Sequence, residues 1–214
     1  MKKNIFVYIF IIICSTCYSM DVMKRDTTYI GIDTACKIEP FLKDWLDFYK
    51  LNISCFKLQN SYCGLLENDS TSIYFRKYTS DDDIYDPQLY DYSPDKIRYL
   101  NLITTSGAYR EEDGKCYYFG GDDCQEIYLI DRNKKEKNMI VWKGAGGFCE
   151  DVFWIDNNIF AIVGKEYNKP EIILFDLSTH SYNHYINESK IDDTSPSYFF
   201  EVNLRERSIF TTRE

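Results

Sequence analysis

Cysteines, a pair of histidines, clustered carboxylates and nineteen tyrosines are the side chains through which this sequence could act chemically. Cys36, Cys55, Cys63, Cys116, Cys124 and Cys149 follow the first nineteen residues, and an even set in an exported chain reads as disulfide candidates. The nearest pairs, Cys55 with Cys63 and Cys116 with Cys124, each flank a stretch read as a turn and are read as local bridges. The competing reading makes some of these residues reduced, buried thiols that serve as small apolar groups. No C-x-x-C pair lies in this part of the chain, so a zinc knuckle has no support. His180 and His184 are four apart, a metal-binding spacing on a helix. On a strand they would share a face roughly 13 Å apart and could not chelate together. Without a carboxylate partner they fall short of a ligand set, and no metal or cofactor is assigned.

Asp122, Asp123, Glu150 and Asp151 lie beside Gly120-Gly121 and Gly144-Ala145-Gly146-Gly147. Two of these carboxyls facing each other would suit a carboxylate-dependent hydrolase; solvated turns are the competing reading, and no catalytic residue is assigned. The longer glycine stretch lacks the Lys-Ser or Lys-Thr of a phosphate loop, and its acidic neighbours would repel a phosphate. The run Asp81-Asp82-Asp83 has neither the spaced oxygen ligands nor the glycine of a calcium loop and reads as solvated. Tyr85, Tyr90 and Tyr92 form a candidate binding face, with Tyr182 and Tyr185 as a second cluster, because a rigid ring carrying a hydroxyl suits recognition.

The elements that must position these groups are mostly strands. Phe41, Leu42, Trp45, Leu46, Phe48 and Tyr49 recur at helical spacing and predict one amphipathic helix over residues 39–51, with Pro40 in its first turn and a stripe of Phe41, Trp45 and Phe48 against a sheet. Residues 53–58 and 72–78 read as strands, with a turn at Asn68-Asp69-Ser70 between them. Strands are also expected at 99–104, 159–163, 198–204 and 207–211.

Glu126-Ile127-Tyr128-Leu129-Ile130-Asp131 is echoed 45 residues later by Glu171-Ile172-Ile173-Leu174-Phe175-Asp176, and each is followed by a polar turn and another strand-like run. That period falls within the range of a four-stranded propeller blade. Asp95 before one strand matches Asp156 before another at an offset of 61, and a hairpin inserted within residues 106–122 would absorb the surplus. The sequence Ser93-Pro94-Asp95-Lys96, together with the Leu-x-Asp strand ends at Asp131 and Asp176, resembles the repeat of TolB-type β-propellers over residues 90–187. The resemblance implies two blade-like units, about 90–143 and 149–187. Two blades do not close a ring. The implied fold is therefore mainly β: an antiparallel meander of propeller-blade-like sheets packed as a sandwich, with one N-terminal amphipathic helix.

Lys2 and Lys3, the apolar run Ile5 to Cys14 and the small residues around Ser19 read as a signal peptide over residues 1–19, leaving one β-rich domain over 20–214. The apolar run is too short for a membrane span. A lipid anchor at Cys14 or Cys17 is the alternative, and would make this a structural envelope protein. The formal charge of −9 becomes −11 once Lys2 and Lys3 leave, a surface that repels nucleic acid. These observations predict a secreted or periplasmic binding protein, non-enzymatic, with a protein or glycan as its partner.

Overall fold

The computed structural model describes residues 28–63, 77–107, 109–120, 123–192 and 194–211. The proposed signal peptide, the turn at Asn68-Asp69-Ser70, most of the strand at 72–78, Gly121 and Asp122 lie outside them. The chain is mainly β, with antiparallel meanders packed face to face, as the residue pattern implies.

The N-terminal helix α1 (Ile32–Phe48) starts seven residues earlier than its apolar spacing predicts. Its buried stripe is Ala35, Ile38, Leu42, Trp45 and Leu46, while Phe41 is 42% exposed. Pro40 is not in the first turn but inside the helix, on its exposed face, where water can take the carbonyl that loses its helical N–H. A single turn of 3₁₀ helix (Ile53–Cys55) then leads into β1 (Phe56–Cys63).

Two sheets follow. One contains β2 (Asp91–Tyr92), β3 (Arg98–Leu100), β6 (Gln125–Asp131) and β7 (Glu136–Lys143), hydrogen-bonded in that order. The other runs β8 (Gly147–Trp154), β9 (Ile159–Glu166), β10 (Lys169–Asp176) and β11 (Ser181–Asn187), with β1 added antiparallel beyond β11. Between β3 and β6 the chain inserts a short helix α2 (Leu102–Ser106) and then a hairpin of β4 (Tyr109–Glu112) and β5 (Lys115–Tyr118); the hairpin falls within the 106–122 window that the repeat offsets leave over. The strand expected over 99–104 therefore ends at Leu100. The aromatic run over 198–204 is helical rather than extended: a π-type turn (Phe199–Asn203) passes into α3 (Leu204–Glu206). This spacing buries Phe199, Asn203 and Leu204 together, and tertiary packing overrides the β preference of the rings. The last strand, β12 (Ile209–Thr211), lies parallel to β5.

Repeated aspartates hold the corners. Asp131 Oδ1 accepts the N–H groups of Asn133 and Lys134, and Asp176 Oδ1 accepts that of Ser178. Asp95 and Asp156 each accept the N–H two residues on. Residues matched by the offsets of 45 and 61 thus make the same bond.

The five-stranded sheet is buried on both faces. Helix α1 covers one face through Leu42, Trp45, Ala161, Val163 and Ile172. The β2–β3–β6–β7 sheet covers the other through Ile127, Leu129, Phe160, Ile162 and Phe175, with the hairpin and the C-terminal segment closing the end of that core. Tyr99, Tyr128 and Ile130 form a third, tyrosine-rich cluster with Tyr78, Tyr90, Tyr92 and Met139.

Bulges or irregularities break three ladders, between Leu58 and Asn60, between Ile127 and Tyr128 and between Cys149 and Asp151, and a side-chain amide repairs the last two. At the bulge between Ile127 and Tyr128, the Tyr128 N–H donates to Asn101 Oδ1 at 2.8 Å. At the bulge between Cys149 and Asp151, Gln125 accepts the Cys149 N–H at 2.7 Å and donates to the Cys149 carbonyl at 3.2 Å. A buried backbone group left unpaired costs about as much as a lost hydrogen bond. Gln125 therefore joins the two sheets while completing the edge of β8.

Candidate functional site

Of the tyrosines singled out as a binding face, Tyr90 lines a cavity between the acidic turn and the β2–β3–β6–β7 sheet. This cavity, about 470 Å³, is walled by Tyr90, Tyr99 and Tyr128, by Asp81, Asp82, Lys77 and Lys137, and by Thr79, Asn101, Thr104 and Thr105. Tyr90 stacks on Tyr99 with centroids 4.5 Å apart, and Tyr92 packs on the same ring at 5.2 Å. Tyr85 leans on Tyr92 at 4.7 Å and is half exposed. Tyr92 has a structural part: its hydroxyl accepts the Asp86 N–H and donates to the Ile84 carbonyl. Tyr85 and Tyr92 therefore buttress the wall that Tyr90 presents. Tyr182 and Tyr185 do not form a second face. Tyr182 joins the inter-sheet core, and Tyr185 is buried beneath α1.

The floor of this cavity depends on a capping box that spacing alone did not reveal. The Asp82 carboxylate accepts the Thr79 N–H at 2.8 Å, the Thr79 hydroxyl at 3.1 Å and the Lys137 ammonium at 2.8 Å. Burial works against its charge, but the Lys137 and Thr79 bonds outweigh burial and hold the carboxyl below its usual range. Burial, followed by the charge of Asp86, pushes the Tyr90 hydroxyl up. At neutral pH the cavity thus combines protonated phenols, an ionised acceptor and an ammonium donor.

Of the carboxylates considered for hydrolysis, Glu150 and Asp151 do not converge. Glu150 points at α1 and accepts from Trp45 Nε1 at 3.1 Å, the Tyr49 hydroxyl at 2.7 Å and the Ser197 hydroxyl at 2.8 Å. Asp151 accepts from Asn203 at 2.6 Å and lies 3.9 Å from Arg207, which also pairs with Asp91. Neither Glu150 nor Asp151 lines the tyrosine cavity or the larger opening of about 910 Å³ between Tyr118 and the 194–211 segment.

All six described cysteines are free. Cys55 abuts β1 and Cys63 ends it, so the stretch between them is an extended strand and not a turn. At about 3.3 Å per residue this separation far exceeds the roughly 7 Å a disulfide can span. Cys116 is engaged elsewhere, its thiol lying 2.6 Å from the Tyr109 hydroxyl and 3.1 Å from Gln88 Oε1. Cys149 is fully buried, and burial followed by the Glu171 charge pushes its thiol well above the ordinary range, as an unreactive group. Cys36 is exposed and Cys124 is half-buried.

His184 does have carboxylate partners, contrary to the expectation from its own segment. They come from neighbouring strands. His184 faces Ile173 across the β10–β11 ladder, so Glu171, two residues before Ile173, is its diagonal neighbour on the same face. Glu171 faces Gly164 across the β9–β10 ladder, which puts Glu166 on that face too. His184 Nε2 donates to Glu171 Oε2 at 2.8 Å and lies 3.8 Å from Glu166 Oε2. Lys143, at the end of β7, reaches across from the other sheet and donates to Glu171 Oε2 at 2.6 Å. Burial opposes charge on Glu171, but the His184 bond and the Lys143 ammonium prevail and hold the carboxyl low. The available signal was an acid opening the apolar run Ile172-Ile173-Leu174-Phe175; strand register was the missing information. No protein-family model matches this chain, and no curated protein and no solved structure is significantly similar to it.

Proposed function

We propose that this is an exported, acidic, non-enzymatic recognition domain, and that its ligand is a glycan held in the tyrosine cavity. The observation that carries this reading is the make-up of the lining: Tyr90, Tyr99 and Tyr128 together with Asp81, Asp82 and Lys137. A sugar presents apolar C–H faces for rings and adjacent hydroxyls for carboxylates, ammonium and threonine. The cavity volume, about 470 Å³, is of small-ligand size. Two carboxylates in the wall and a formal charge of −9 disfavour a phosphorylated ligand. A protein partner is the second outcome that the same test separates.

The test is a glycan array and a peptide array, both probed with the purified chain. Glycan retention should fall by about tenfold or more in Tyr90→Ala, the loss of one stacking ring with its buried area. Asp81→Asn should weaken retention while leaving the unfolding midpoint unchanged, because Asp81 is exposed. Retention of peptides alone would reassign the ligand class. A blank on both arrays would remove the reading.

A further inference from the structure

We infer that Glu166, Glu171 and His184 form a binding site for a divalent transition metal of the zinc class, with Lys143 as its built-in competitor. This site lies on the inner face of the five-stranded sheet, so its argument is independent of the tyrosine cavity.

Three observations carry it. One ligand atom from each residue lies within 4.8 Å of the others. A tetrahedral ion with bonds of about 2.0–2.2 Å holds its ligand atoms roughly 3.3–3.6 Å apart. The His184 Nε2 distances of 2.8 Å to Glu171 and 3.8 Å to Glu166 lie on either side of that spacing, and the two carboxylates lie within 4.8 Å of each other. Second, Glu171 Oε1 is buried with no hydrogen-bond partner, while Oε2 takes both Lys143 and His184. Leaving a buried acceptor unsatisfied is unfavourable, the more so when it is charged, and a cation held by the two carboxylates would offset that cost. Third, the Glu166 side chain is 34% exposed, which opens a route from solvent to an otherwise enclosed site.

The donor types choose the metal class. Imidazole with two carboxylates suits zinc and its neighbours, whereas calcium and magnesium demand six or more oxygens. Binding requires the His184 proton to sit on Nδ1, which frees the Nε2 lone pair for the ion. Lys143 already places a positive charge at the spot: its ammonium lies 2.6 Å from Glu171 Oε2 and 3.5 Å from Glu166 Oε2. An incoming ion must displace it, so the resident lysine sets the affinity of the site.

The experiment titrates the full chain with Co²⁺, read by visible absorption, and then with Zn²⁺ in competition. One ion should bind per chain. Glu166→Gln and His184→Ala should each weaken binding by more than about tenfold, and Lys143→Met should tighten it. Glu166→Gln alters a half-exposed side chain, so it remains informative if His184→Ala fails to fold. Absence of binding, binding unchanged in Glu166→Gln, or binding weakened in Lys143→Met would each overturn the assignment.

Discussion

Asp151 shows how strongly one residue's setting can govern the pH response of the chain. It is buried beside Asp91 with a single guanidinium, Arg207, between the two carboxyls. Burial first, and the Asp91 charge second, push its carboxyl up to about 8, even though Arg207, Val152 and Asn203 oppose the shift. The folded chain therefore keeps a proton here that the unfolded chain releases near the ordinary carboxylate range. Stability from this group is full below that range and is lost as pH rises through about 8. Unfolding free energies from denaturant titrations between about pH 5 and 7 should fall with a slope approaching one proton, roughly 1.4 kcal/mol per pH unit, and level off above about 8. Asp151→Asn retains an Oδ1 acceptor for Asn203 and Val152 and should flatten that slope; an unchanged slope would refute the assignment. Nothing in Glu150-Asp151-Val152 announced this pairing, because Asp91 and Arg207 come from segments far away in the chain.

Strand-level features were read with uneven success, and the reason is physical. The alternating and β-branched runs of β6, β7, β9, β10 and β11 were legible because a strand records its own two faces in its own residues. Their turns were legible for a similar reason, since an aspartate that caps a corner does so locally. The bulges were invisible. At the β8 bulge, Gly164 lets the neighbouring strand approach: a Cβ there would meet the Phe148 carbonyl oxygen at 2.2 Å and Cys149 Cα at 2.8 Å. Both are backbone atoms, which cannot rotate aside. Gly164→Ala should cost about 1–3 kcal/mol by overpacking, seen as a lower denaturation midpoint. The same change should disturb His184 as well, because Gly164 is the ladder partner of Glu171; a variant with wild-type stability would mean that β8 has room to retreat. Helix α1 was recognised by its apolar spacing, but a proline marker placed its start wrongly. Ala35 and Ile38 continue the buried stripe upstream of Pro40.

For the molecule as a whole, the layering follows from which faces are apolar, while both polar sites follow from which strands become neighbours. A sandwich of two meanders with a helix outside could be inferred from the repeat and the one amphipathic segment. The tyrosine cavity was half visible: Tyr90 was picked out, but Asp82 was read as part of a solvated run and is buried, and Lys137 and Thr104, from separate elements, were not singled out. The histidine site needed the register of three strands and a lysine from the opposite sheet. Cysteine spacing misled because Cys55 and Cys63 bracket a strand.

The chain contains three tryptophans, and the layers separate them. Trp45 is wholly enclosed between α1 and its sheet, Trp154 packs at a tilt on Phe160 between the sheets, and Trp142 stands 58% exposed at the end of β7. Native fluorescence is therefore a set of three depth gauges. Acrylamide should quench Trp142 in the folded chain, and Trp142→Phe should remove most of that accessible emission. The signal of Trp45 should survive until the helix lifts from its sheet, so that peeling of this outer layer and separation of the two meanders could be timed apart without any added label.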